Sequence, residues 1–220
     1  MPDPDFKVTG VKAEARSLTP LLQFELLVAN RPATETIHAI LLQAQIKIQS
    51  PERSYTPQEK EKLGDLFGTP ERWGQTLRGQ LWASANTTVG GFQDSTHATL
   101  TVPCTFDLSF ATVKYLYALE GGEVPFRFLF SGTVFYASPN GRWQVQQISW
   151  DRECSYRMPV TVWQDLIESH YPKSAWLYMD RDVFEQLYAF KRRRGLSSWE
   201  QTIQHLLAEV ENVEKIGAYA

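Results

Sequence analysis

Chemistry-bearing side chains are sparse along this chain. It has two cysteines, Cys104 and Cys154, fifty residues apart and without a CxxC pair. Its four histidines, His38, His97, His170 and His205, are widely separated. That spacing excludes the contiguous zinc motifs, in which ligands recur at short fixed intervals, and no metal or cofactor is implied. Gly121-Gly122 has neither a following Lys-Ser/Thr nor a GxGxxG frame, so it reads as a helix stop and not as a phosphate loop. No apolar run approaches the roughly 20 residues that cross a bilayer. The longest candidate, Phe126 to Tyr136, is interrupted by Arg127, Ser131 and Gly132. The segment MPDPDFKV lacks the basic start and apolar centre of a signal peptide. A soluble cytoplasmic protein with both thiols reduced is the resulting expectation. Neither sign of charge dominates, with 22 Lys and Arg against 25 Asp and Glu. A net charge of −3 argues against a general basic face for nucleic acid or anionic lipid.

Aromatic residues, by contrast, are plentiful: seven Trp, nine Tyr and twelve Phe in 220 residues. Disordered chains are poor in such residues, so a packed core is expected. Up to about Tyr156 the dominant period is two. Phe6 to Glu14, Leu21 to Asn30 and Ile37 to Gln49 read as successive strands, followed by Thr76 to Val89, Thr96 to Val102, Val124 to Ala137 and Arg142 to Tyr156. Ser138-Pro139-Asn140-Gly141 between the last two is the strongest hairpin signal, because Asn-Gly supplies the positive φ angles of a tight turn.

Helical signals interrupt this rhythm. Thr56-Pro57-Gln58-Glu59 reads as a capping box with Pro at the first helical position, and the helix should stop near Gly68. Thr69-Pro70 starts a second turn in the same way. Asp107 or Ser109 is a candidate cap for a helix to Leu119 with Phe110, Val113 and Tyr117 on one face. Beyond Met158 the period becomes helical, with Val162, Trp163, Leu166 and Ile167 on one face before Pro172. Val183, Leu187 and Phe190, then Trp199, Ile203, Leu206, Leu207 and Val210, mark two more amphipathic helices around Gly195, the second capped by Ser197 and Glu200. The expected fold is mainly β. It is an antiparallel β-sandwich over residues 1–158 with short helical inserts, followed by a C-terminal helical unit over 159–220. A two-layer α+β arrangement is the alternative.

Candidate functional groups compete with plainer roles. Asp151 and Glu153 share a strand face and are placed for acid–base work, but neighbouring Arg152 and Arg157 are equally placed to pair with them. Cys104 follows Pro103 in an apolar run, which suits an inert buried thiol. The aromatic crowd from Phe126 to Tyr156 alternates, so part of it faces outward; an exposed patch there would be a protein–protein site.

Residues 174–215 read as a short extended run, a helix, a Gly break and a second helix. This order resembles a ribbon-helix-helix module, a DNA-binding dimer. The resemblance would make Trp176 and Tyr178 the ribbon's readers and Lys191, Arg192, Arg193 and Arg194 phosphate contacts. Four such contacts correspond to a salt slope of about −3.6. Trp and Tyr lack the bidentate hydrogen bonding of base-reading side chains. From Lys173 onward seven basic residues meet seven acidic ones, so the module is neutral. Cations at a helix C-terminus also complement its dipole without any ligand. Whether these helices pack in cis or make a homodimer stays open.

The run FDLSFATVKYLYALEGGEVPFRFLFSGTVFY, with WDRECSYRMPVTVWQ and WEQTIQHLL, resembles an uncharacterised bacterial family encoded near uptake [NiFe]-hydrogenase genes. The resemblance implies a helper in hydrogenase maturation or assembly with a protein partner, and it carries no catalytic residues. The leading expectation is a non-catalytic accessory protein acting through protein–protein contact. A DNA-binding regulator is the alternative.

Overall fold

Alternation of apolar and polar side chains gives the sequence two antiparallel sheets. The computed structural model describes residues 1–14, 16–105, 110–138, 140–174, 177 and 179–217, with backbone only at 110 and 211–217. The first sheet has the order β1-β2-β5, from β1 (Asp3–Ala13), β2 (Leu21–Arg31) and β5 (Ser95–Pro103). In the second, β3 (Ile37–Ile48) lies between β4 (Gln80–Val89) and β6 (Glu123–Ala137). The far side of β6 is shared by β7 (Trp143–Gln147) and β8 (Glu153–Pro159). The single strand expected over 142–156 is therefore two. A turn around Ser149–Asp151 separates them, and Arg152 begins the return by accepting from the Phe130 amide at 2.8 Å.

The sheets pack face to face, so the sandwich expectation holds. Phe24 on β2 meets Phe128 edge-on at 5.1 Å and Phe126 at 6.1 Å, and Phe6 stacks on Phe130 at 4.8 Å. Phe126, Phe128 and Phe130 thus form the inner face of β6, with Val134 and Tyr136 continuing it. β1 runs beside β8 and β5 beside β4, which closes both flanks. Gly132 sits where β6 passes from β8 to β7. Its φ is +142°, and a Cβ there would lie 2.0 Å from the Leu41 carbonyl oxygen, so only glycine fits.

The inserts follow their caps. α1 (Pro57–Phe67) has the expected capping box between Thr56 and Glu59 and ends at Gly68. A 3₁₀ turn and the four-residue α2 (Trp73–Thr76) come next, which delays β4 to Gln80. α3 (Phe110–Ala118) buries Thr112, Tyr115 and Leu116, followed by Leu119, and leaves Tyr117 exposed. The expected Val113–Tyr117 face is thus not the buried one; the residues spaced at 112, 115, 116 and 119 are. The candidate caps Asp107 and Ser109 lie outside the described residues.

α4 (Val160–His170) buries Val160, Trp163, Leu166 and Ile167 in the sandwich core. The chain accordingly divides into units 1–174 and 175–220, so α4 groups with the sandwich and not with the terminal helices. The second unit contains α5 (Arg181–Arg194) and α6 (Trp199–Gly217). Among the described residues no helix is long and apolar enough to cross a membrane.

Candidate interaction surfaces

The groups capable of chemistry are dispersed. His38 lies on β3 against the Trp143 ring at 4.6 Å, and His97 is exposed on β5. His170 ends α4 with Nδ1 2.9 Å from the Leu166 carbonyl oxygen and Nε2 3.2 Å from that of Ser17. His205 lies in the second unit, 3.7 Å from Glu209. No three His, Cys, Asp or Glu among the described residues cluster to hold a metal. Asp151 sits in the turn before β8, while Glu153 faces Arg127 at 3.8 Å and Arg152 is paired with Asp3. Burial pushes the Cys104 thiol up to about 12 and raises that of Cys154 as well. Neither is a ready thiolate.

A cleft of about 690 Å³ opens where α1 meets the turn between α3 and β6, lined by Arg53, Thr56, Glu59, Gly122, Glu123 and Arg157. Its central pair, Arg53 and Glu59, is bound into the fold. Arg53 donates from Nη2 to Glu59 and to the Gly121 carbonyl, both at 2.6 Å, and from Nη1 to the Glu123 carbonyl at 2.7 Å. Glu59 also accepts from the Thr56 amide at 3.0 Å and the Glu120 amide at 2.9 Å. Desolvation opposes ionisation of Glu59, but the two amides and the guanidinium outweigh it and hold the carboxyl below its ordinary range. The arrangement is a clamp that fixes α1 to the α3–β6 turn.

In the second unit Asp180 caps α5 by accepting from the Asp182 amide at 2.9 Å. α5 ends in a Schellman motif: the Leu196 amide reaches the Lys191 carbonyl at 3.1 Å, with Gly195 left-handed. The cap of α6 is Ser198, one residue later than expected, accepting from the Gln201 amide at 3.1 Å. Most of the basic run is engaged locally. Lys191 donates to the Ser197 carbonyl at 3.0 Å and lies over Trp199. Arg192 lies over Tyr188, and Arg194 lies over Phe190 and pairs with Glu209 at 2.9 Å. Arg193 is exposed. Trp176 and Tyr178 lie outside the described residues, and Leu177, Met179 and Asp180 beside them carry no strand. Thr202 is the single buried side chain of this unit among the described residues. Val183, Ile203, Leu207 and Val210 remain exposed, Leu207 by 59%.

A second apolar surface lies on the outer face of the larger sheet. Register places Ala39, Phe135 and Val145 in one row and Ala137 and Trp143 in the next, with Leu41 beside them. Trp143 is 68% exposed and Val145 60%. The aromatic crowd thus divides: its Phe126–Phe130 part is core, and its Trp143 part is surface. The sequence flagged Trp143 but not Val145 or Leu41. The signal was the alternation in Trp143-Gln144-Val145-Gln146, whose inward positions are the glutamines.

No curated protein matches the chain. Among solved structures, a protein designated ApaA from Bordetella pertussis is similar at 9% identity and a TM-score of 0.26, covering 71% of this chain and 93% of its own. A late embryogenesis abundant (LEA) protein is similar at 13% identity and a TM-score of 0.30, covering 71% of each chain. At such values neither likeness bears on function. The model described as Family of unknown function (DUF6084) matches residues 1–215, and the chain belongs to that family.

Proposed function

We propose that this protein is a non-catalytic cytoplasmic accessory protein that works by docking a protein partner through its C-terminal helices. The observation that carries this is the apolar stripe of α6. Ile203, Leu207 and Val210 recur at the spacing by which an amphipathic helix enters a groove, and all three are exposed. Among the described residues the two helices bury Thr202 fully and half-bury Leu187, Phe190, Trp199 and Leu206, a small core, so a partner that covers the stripe stabilises the unit. Arg193 and the flanking cations favour an acidic rim around that partner's groove. The resemblance to proteins encoded near uptake [NiFe]-hydrogenase genes directs the choice of partner to hydrogenase maturation or assembly.

The test is capture by the tagged chain from cells expressing an uptake [NiFe] hydrogenase with its maturation proteins. A specific partner, lost with Ile203→Asp/Leu207→Asp, is the expected result. Capture unaffected by that double substitution contradicts the reading. So does a salt-dependent shift of duplex DNA that disappears when Lys191 to Arg194 are replaced, which would make the chain a regulator.

A further inference from the structure

β7 is an edge strand with an unusual lack of protection. Among the described residues it pairs only with β6, and its register runs without a bulge from Thr133↔Gln147 to Ala137↔Trp143. The Ile148 amide bonds the Gly132 carbonyl and the Ser138 amide bonds that of Arg142, which fixes the parity of the ladder. In an antiparallel pair hydrogen-bonded and non-bonded positions alternate. Gln144 and Gln146 therefore turn their backbone groups to β6. Trp143, Val145 and Gln147 turn theirs to the open edge. Soluble proteins blunt such edges with Lys, Pro, bulges or inward charges. Residues 143–147 hold no charged residue and no proline.

We infer that this edge is a self-association site, at which β7 pairs antiparallel with β7 of a second copy about a two-fold axis through Val145. The charge pattern selects a second copy as the occupant. Antiparallel pairing of identical strands sets the axial residue against itself, which an uncharged Val permits and a charged residue would forbid. The register is also complete. Val145 bonds Val145 of the second copy, and Trp143 and Gln147 bond each other's counterparts, so all three outward amides and carbonyls are used. On the outer face the row Ala39–Phe135–Val145 then runs without interruption into the same row of the other copy.

This inference uses residues other than those of the proposed docking helix and stands or falls separately. Sedimentation velocity on the full-length chain tests it. Wild type should sediment as a dimer at micromolar concentration. Val145→Lys and Val145→Glu should each be monomeric, because like charges meet at the axis, and an equimolar mixture should restore the dimer. Val145→Pro, which removes an outward N–H and no β6 bond, should also be monomeric. A wild type that stays monomeric at hundreds of micromolar overturns the inference. So does a dimer that persists in both charged variants, or a mixture that fails to re-form it.

Discussion

Arg53 and Glu59 form a buried ion pair: Nη2 donates to Oε1 at 2.6 Å, with the side chains 8% and 1% exposed. A pair like this is costly to break from one side, since the remaining charge stays buried without its partner. Arg53→Met should therefore destabilise the protein by about 3–5 kcal/mol. Glu59→Gln keeps one acceptor oxygen for Arg53 and the Glu120 amide but sets an NH2 against the Thr56 amide, so it should also destabilise, by less than Arg53→Met. Urea denaturation at pH 7 separates the two.

The same carboxyl gives a pH dependence. Its folded-state pKa is held below the ordinary value, so the stabilisation is present above the unfolded-state value of about 4.3 and is lost as pH falls through and below it. The stability difference between wild type and Glu59→Gln should shrink from pH 7 to pH 3. A constant difference over that range would mean that Glu59 acts by shape and not by charge.

Gly132→Ala should be among the most damaging single substitutions. The added carbon meets the Leu41 carbonyl at 2.0 Å in a backbone region that L side chains rarely adopt. A loss on the order of 4 kcal/mol is expected, read from the denaturation midpoint.

Much of this architecture was legible in the sequence because local chemistry dictated it. The capping box at Thr56 and Glu59 and the stop at Gly68 appear as written, since those residues satisfy the backbone themselves. Other features depend on contacts that sequence cannot display. The break between β7 and β8 falls opposite Gly132 of β6, and Ser149 and Asp151 mark its turn without the Gly or Pro that would single it out in an alternating run. The buried face of α3 is chosen by the core it meets, which selects Tyr115 and Leu116 over Tyr117. Glu59 was readable as a cap but not as the partner of Arg53. The site residues fared similarly: the basic run was conspicuous as charge, whereas its engagement with Tyr188, Phe190 and Trp199 required the fold.

The thiols offer an independent check on the core. With the Cys104 thiol pushed to about 12, only on the order of one molecule in ten thousand is thiolate at pH 8. Native protein should react with a disulfide reagent far more slowly than a free thiol, and both cysteines should react promptly in denaturant. Fast labelling of Cys104 in the native state would mean that the β2–β5 side of the sandwich opens readily.

The docking claim is tested most directly by hydrogen–deuterium exchange of the full-length chain with and without its captured partner. Slowed exchange over residues 199–210, with the sandwich strands unchanged, is the predicted result. Exchange in that helix that is identical in the two samples would contradict the account.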